Sequence, residues 1–538
     1  MLRYVCRPFR FPRRTGIPLN QIIMDSRSAK IGFLFLCVVF LLINGTTLYN
    51  GHDWGDDFAQ YIRHAQNLLE AKPYASRIML DPGVVSPPGF PLLLVPLLKI
   101  FGLNFIALKI WNIVFWMIFV VAIYRLYQMR LSEEEALLGA AVWFLFPFFF
   151  MFKQSILTDI PFLGMAMTAV VLFEIYLQQK ERTFQSGFFL GWSLVAMTAA
   201  MMTRWFGMLL FVAALLVSGI SGKKRRDLWI IFGVLFLNGL VQWIWGVSFM
   251  SHLKEASFPL RDWPMILQDN IRNNFVELSI LFFPFKMNWS DWVFSWIDPW
   301  SIWLGLAVAG YLVVVLIVRL KRRTLTMSDA FLTLGYLSIL FWPVSSAGRY
   351  PLPLIGLLLL EGLKLLRRFP LRRGYRHMSL GIPLLIVLIF LNVSSLAIHF
   401  DFNSDAIHQP QSLQLFEWIR NSTRPSERFM FGKPRALCLL TDRPSAAYTL
   451  ATDPRSCVER IRDLKIDYLV FLRDTGELSE LHLYNTLMPL AEQSQPYLLT
   501  VSAGDEKILE GIVRAGVKVR RVWENSTYAV FRVEAKSG

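Results

Sequence analysis

Charge is scarce in this chain. Only 17% of its 538 residues are Asp, Glu, Lys or Arg, where a soluble domain carries about 25%. Most of its surface is therefore not built for water. Cysteine is scarce too. Cys6 and Cys37 fall near the start and Cys438 and Cys457 in the last third, which excludes a disulfide-built scaffold. The last two could form one disulfide or remain two buried thiols. No Walker loop and no GxGxxG occurs, so the sequence carries no sign of a nucleotide site. No His/Cys cluster has the spacing of a zinc site, and no internal repeat of the kind common in transporters is visible.

What is present is apolar sequence in long runs. Hydrophobic residues make up 54% of the chain and aromatics 14%, with a mean hydropathy of +0.44. Segments long enough to span a bilayer recur between residues 31 and 398 and then stop. The expected architecture is a polytopic α-helical membrane protein of about eleven spans. They lie near 31–49, 104–124, 135–152, 160–177, 186–203, 205–220, 228–250, 300–318, 329–345, 351–366 and 380–398. Residues 1–30 form a basic tail, 31–400 the membrane domain with an outward loop at 50–90, and 401–538 a water-soluble α/β domain. The tail carries Arg3, Arg7, Arg10, Arg13, Arg14, Arg27 and Lys30. With the tail in the cytoplasm, the inner segments hold 25 Lys and Arg and the outer ones 10, as the positive-inside rule requires. The C-terminal domain is then extracytoplasmic. The net charge of +16 is largely inner-loop charge that attracts lipid headgroups, not a footprint for nucleic acid.

The outward face collects the chemistry. In the first loop, Gly55-Asp56-Asp57 precedes Phe58, Tyr61, Ile62, Ala65, Leu68 and Leu69, the spacing of a helix with one apolar face lying in the membrane interface. Capping that helix is the ordinary role for either aspartate. Two adjacent carboxylates beside His52 and Asp53 leave one available as a base. Ser86-Pro87-Pro88-Gly89-Phe90-Pro91 breaks the chain before a short apolar stretch ending at Gly102. Asp159, in Leu157-Thr158-Asp159-Ile160-Pro161, stands at an outer helix boundary, where Thr158 or Asp159 would serve as N-cap. Arg204 interrupts an apolar run and Arg349 precedes Tyr350-Pro351. An arginine at membrane depth needs water or an anionic partner. Trp263, Trp289, Trp292, Trp296 and Trp300 read best as an interfacial aromatic belt.

Together these stretches resemble the GT-C superfamily of membrane glycosyltransferases, near the lipid A aminoarabinose transferases and rhizobial core-sugar transferases, with the protein O-mannosyltransferases more distant. The resemblance rests on Gly55 to Tyr61, the Pro-Pro-Gly-Phe-Pro-Leu-Leu-Leu run from Pro87, Leu157 to Pro161, Arg204, Arg349-Tyr350-Pro351 and Leu415 to Arg420. The family usually has Asp-Glu in the first loop. Here Asp57 holds the Asp place by its distance from Tyr61, and Phe58 replaces the acid. The resemblance implies an inverting transfer of a sugar, a hexose by family analogy, from a polyprenyl-phosphate donor to a lipid, glycan or protein acceptor. Asp57 would be the base, with Asp56 as the alternative. Asp159 would orient the acceptor or share a divalent metal such as Mg or Mn. Arg204 and Arg349 would bind the donor phosphate, with Tyr61 and Tyr350 supporting. The competing reading is a lipid-linked sugar flippase or transporter, or another polytopic envelope-glycan protein.

In the C-terminal region, Leu413–Arg420 and Lys507–Ala515 read as helices. Phe429–Phe431, Ala436–Leu440, Tyr468–Leu472, Val517–Trp523 and Tyr528–Val533 read as strands. The motifs Asn421-Ser422-Thr423 and Asn525-Ser526-Thr527 are glycosylation sequons.

Overall fold

The computed structural model describes residues 27–80, 85–179, 184–223, 225–247, 263–282, 298–342, 349–367, 379–398, 405–448, 454–472, 509 and 512–534. Its first two-thirds are helical: α1 Arg27–Thr46, α2 Asp56–Leu69, α3 Gly89–Phe101, α4 Phe105–Gln128, α5 Glu133–Phe144, α6 Pro147–Phe152, α7 Asp159–Gln178, α8 Phe184–Thr203, α9 Met208–Ile220, α10 Arg225–Ile244, α11 Trp263–Phe282, α12 Ser301–Arg322, α13 Met327–Leu340, α14 Leu352–Leu366 and α15 Gly381–Ile398. Six of these helices (α1, α4, α7, α8, α10 and α12) are long and apolar enough to cross a bilayer. The other five expected spans coincide with shorter helices. Residues 135–152 are divided between α5 and α6, because Pro147 cannot donate to the preceding turn. Helix α3 forms on the short apolar stretch ending at Gly102, and α11 falls in an expected outward loop.

Packing ranks the helices. In α7, 78% of the apolar window is buried, against 17% in α12, so α7 is central and α12 faces outward. The close approach of α4 to α7 depends on Gly164, where a Cβ would meet the Phe115 carbonyl oxygen at 2.6 Å. Small residues at helix contacts are how apolar helices pack without a hydrophobic driving force between them.

At the end of α7 away from Asp159 lies a network of buried charge. Glu174 accepts hydrogen bonds from Arg130 at 2.7 Å and from the backbone and hydroxyl of Ser328 at 3.0 and 2.9 Å. Arg319 pairs with Asp329 and, at 3.6 Å, with Glu361, while Arg367 pairs with Glu135. The basic clusters read from sequence as headgroup contacts are thus in part internal, because these acids would be costly to bury alone.

The C-terminal region contains α16 Pro410–Ser422, β1 Phe429–Met430, α17 Pro434–Thr441, β2 Ser445–Ala446, α18 Pro454–Asp463, β3 Tyr468–Leu472, β4 Val519–Glu524 and β5 Tyr528–Val533. The strands form a five-stranded sheet in the order β2-β1-β3-β5-β4, parallel through β2, β1 and β3 and antiparallel through β5 and β4. The expected strand at Ala436–Leu440 is instead helix α17. A short apolar run fits either period, and Pro434 in its first turn selects the helix. The expected helix at Lys507–Ala515 lies largely outside the described residues, as do Trp289, Trp292 and Trp296. Cys438 and Cys457 are buried thiols in different helices, not joined by a disulfide.

Candidate functional site

Helix α2 is not an interfacial helix with one wet face. Arg63, His64 and Asn67 on its expected polar side are buried along with Phe58, Tyr61 and Ile62. The polar groups find partners instead of water. Arg63 donates to the Cys438 carbonyl at 2.8 Å and to Asp442 at 3.1 Å in the C-terminal unit. Asn67 donates to the Tyr74 carbonyl at 3.0 Å. His64 Nδ1 is 2.8 Å from the same carbonyl, which requires that nitrogen to carry the proton.

The chain before α2 is pinned by His52. Its Nε2 accepts the Ile156 N–H at 3.0 Å, so Nδ1 carries the hydrogen and faces Asp53 at 2.7 Å, while the ring stacks on Phe58 at 3.9 Å. Burial raises the Asp53 carboxyl, but His52, the Gly55 N–H and Lys433 outweigh it and bring it to about 2. His52 therefore ties the loop bearing Asp57 to the loop bearing Asp159. Gly89, opening α3, lies close enough to α8 that a Cβ would meet the Met202 carbonyl at 2.7 Å.

Five chain segments meet there. Asp57 sits in the first turn of α2, Asp159 starts α7, Arg204 follows α8, Arg349 precedes α14, and Arg435 lies in the first turn of α17. Arg349 Nη1 donates to Asp57 Oδ2 at 3.1 Å; its Nη2 and Nε donate to Asp159 Oδ2 at 2.9 and 3.2 Å. Arg204 pairs with Asp159 Oδ1 and lies over the Tyr350 ring at 5.7 Å. The Asp57 side chain is 40% exposed and that of Asp159 is 1%. Asp57 is the more exposed of the two carboxylates, whereas Asp159 is clasped by both arginines.

Asp56 has a different partner. Its Oδ1 accepts the backbone N–H groups of Arg435 and Ala436 at 2.8 and 3.2 Å. It thus caps α17 from another part of the chain and makes no side-chain cap on α2. Burial raises the Asp56 carboxyl above its ordinary value against the pull of Arg435. Burial acts on Asp57 as well, but Arg349 and Arg435 hold it below the ordinary value. Tyr61, pushed up to about 12 by burial and by Asp57, stays neutral and lies 3.5 Å from the Thr158 hydroxyl. Thr158 occupies the N-cap position of α7 without a side-chain cap bond.

Arg435 was not singled out from sequence. It precedes an apolar run read as a strand, and nothing local brings it to residues 378 positions away. Among the described residues no three His, Cys, Asp or Glu side chains gather as a metal cluster. Both Asp159 oxygens are engaged by arginine, a donor set that fits an anion better than a divalent cation.

Residues 85–245 match the family model described as dolichyl-phosphate-mannose-protein mannosyltransferase. No curated protein sequence matches the chain. Among solved structures it resembles ArnT from Cupriavidus metallidurans bound to undecaprenyl phosphate, at 11% identity and a TM-score of 0.51, covering 95% of this chain and 99% of that one. It also resembles the Archaeoglobus fulgidus oligosaccharyltransferase tethered with an acceptor peptide, at 12% identity and a TM-score of 0.53, covering 88% and 72%. A third similar structure is the oligosaccharyltransferase AglB from Archaeoglobus fulgidus in complex with an inhibitory peptide and a dolichol-phosphate, at 13% identity and a TM-score of 0.51, covering 83% and 70%. Identities this low show the fold alone: the chain shares the fold of these membrane glycosyltransferase structures, and its residues 85–245 match the mannosyltransferase family model.

Proposed function

We propose that this protein transfers a sugar, a hexose by family analogy, from a polyprenyl-phosphate donor to a lipid, glycan or protein acceptor with inversion at the anomeric carbon. The observation that carries this reading is the Asp57–Arg349–Asp159–Arg204 chain, which sets one reachable carboxylate beside two arginines at the helix ends. A polyprenyl phosphate is a good leaving group, so the reaction needs a base for the acceptor hydroxyl and cations for the departing phosphate. Asp57, held ionised, takes the acceptor proton. Arg204 and Arg349 face the phosphate, with Asp159 fixing their geometry. Asp56 serves as the cap of α17 and not as the base, since its Oδ1 is engaged by two backbone N–H groups. Tyr61 and Tyr350 support the two loops. A location at the helix ends, instead of midway along the helices, favours transfer over carriage of a lipid-linked sugar across the membrane.

The assigned orientation follows the positive-inside bias: the basic tail in the cytoplasm, eleven spans between residues 31 and about 400, and the site with the C-terminal α/β domain on the extracytoplasmic side. The test is an assay of purified protein with polyprenyl-phosphate mannose and native membranes as acceptor source. Transfer by the wild type and its loss in Asp57→Asn are expected. Wild-type-like transfer by Asp57→Asn in a folded protein would remove Asp57 from the role of base.

A further inference from the structure

We propose that Arg435, delivered by the C-terminal unit, is a third cation of the site, holding the Asp57 carboxylate before reaction and turning to the donor phosphate as the sugar leaves. This deepens the glycosyltransferase reading above and rests on it. The backbone around Arg435 is clamped to α2, because its own N–H and that of Ala436 both donate to Asp56 Oδ1, at 2.8 and 3.2 Å. The guanidinium is held more loosely. Nη1 lies 3.4 Å from Asp57 Oδ1, and Nε is buried 3.5 Å from Asp56 Oδ2, with no hydrogen-bond acceptor among the described residues. The carrier helix is thus fixed while a donor on its side chain remains unfilled, and an unfilled buried donor favours any acceptor that arrives.

Charge explains when it would turn. In the structure Asp56, Asp57 and Asp159 face Arg204, Arg349 and Arg435, with Lys433 also acting on Asp56. A sugar phosphodiester entering the site adds one negative charge. In the transfer the acceptor O–H bond breaks and its proton moves to Asp57. The acceptor oxygen bonds to the anomeric carbon, and that carbon's bond to the phosphate oxygen breaks with the electron pair going to the phosphate. Asp57 loses its charge as the phosphate gains one, so the attraction on Arg435 shifts from carboxyl to phosphate.

The experiment compares full-length wild type, Arg435→Gln and Arg435→Lys with polyprenyl-phosphate mannose as varied donor and native membranes as acceptor source, across pH. For Arg435→Gln, kcat is expected to fall about 10- to 100-fold, and the acid limb of kcat/KM to move up by about one pH unit as Asp57 loses a neighbouring cation. Arg435→Lys should keep much of the acid limb but not the full kcat, since an ammonium lacks the planar fork that serves carboxylate and phosphate oxygens together. A helix-docking role alone would lower the melting temperature without moving the acid limb. Unchanged kcat and acid limb in Arg435→Gln, with Asp57→Asn inactive, would overturn this inference and leave the glycosyltransferase reading standing. Absence of transfer by the wild type would overturn both. If Arg435→Gln does not fold, Arg435→Lys decides, and full kcat in that variant would overturn the inference.

Discussion

Asp56 Oδ1 lies 2.8 Å from the backbone nitrogen of Arg435, so a carboxylate of the first loop caps a helix almost 380 residues later in the chain. Its neighbour Asp57 points to Arg349 instead. Adjacent aspartates that look alike in sequence thus have separate partners, one a helix end and the other an arginine.

Asp56→Ala should loosen that docking. Losing an N-cap costs about 1 kcal/mol, and the expected signs are a lower melting temperature and faster proteolysis near residue 434. Unchanged proteolysis in the variant would argue against the capping role.

Arg349 pairs with both Asp57 and Asp159. Lysine cannot reproduce a fork that serves two carboxylates. Arg349→Lys should therefore lower kcat/KM for the donor by about 10- to 100-fold, since each 1.4 kcal/mol of lost stabilisation is tenfold in rate. Steady-state kinetics with varied donor would check it.

His64 gives a pH dependence of stability. Burial pulls its imidazole from 6.5 down to about 4, against the opposing hydrogen bond to Tyr74. The folded value lies below the unfolded one, so the folded state prefers the neutral ring. Its contribution is fully present above pH 6.5 and is lost as pH falls toward about 4. The difference is on the order of 3 kcal/mol. Melting temperatures between pH 7 and pH 4 should fall less steeply in His64→Gln than in the wild type, and equal slopes would contradict this.

Glu174 tests the network at the other end of α7. Glu174→Ala strips Arg130 and Ser328 of their acceptor. Breaking such a pair costs about 3 kcal/mol, which a melting curve in detergent would register. A double change with Arg130→Ala should recover part of the loss.

Asn525 bears on the sequon read from sequence. Its side chain donates to the Gln411 carbonyl at 2.9 Å and accepts from the Thr527 and Tyr528 N–H groups. Those bonds hold the amide against the fold, an arrangement unsuited to carrying a glycan.

Local sequence determined much of this protein. Apolar runs of some twenty residues suffice to define α4, α7 and α8, because in lipid a helix must satisfy its own backbone. Proline and glycine marked the start of α3, and short apolar runs marked β3 and β5. The residue types at 57, 159, 204 and 349 marked these positions out, since carboxylates and arginines at a membrane boundary need a reason to be there. Which of them touch is a tertiary matter. The burial of α2 on both faces, the capping of α17 by Asp56 and the arrival of Arg435 all depend on contacts between segments hundreds of residues apart. No periodicity or motif encodes such contacts. The paired aspartates are legible in sequence as a pair; only the fold, by offering one of them a helix end and the other an arginine, divides their work.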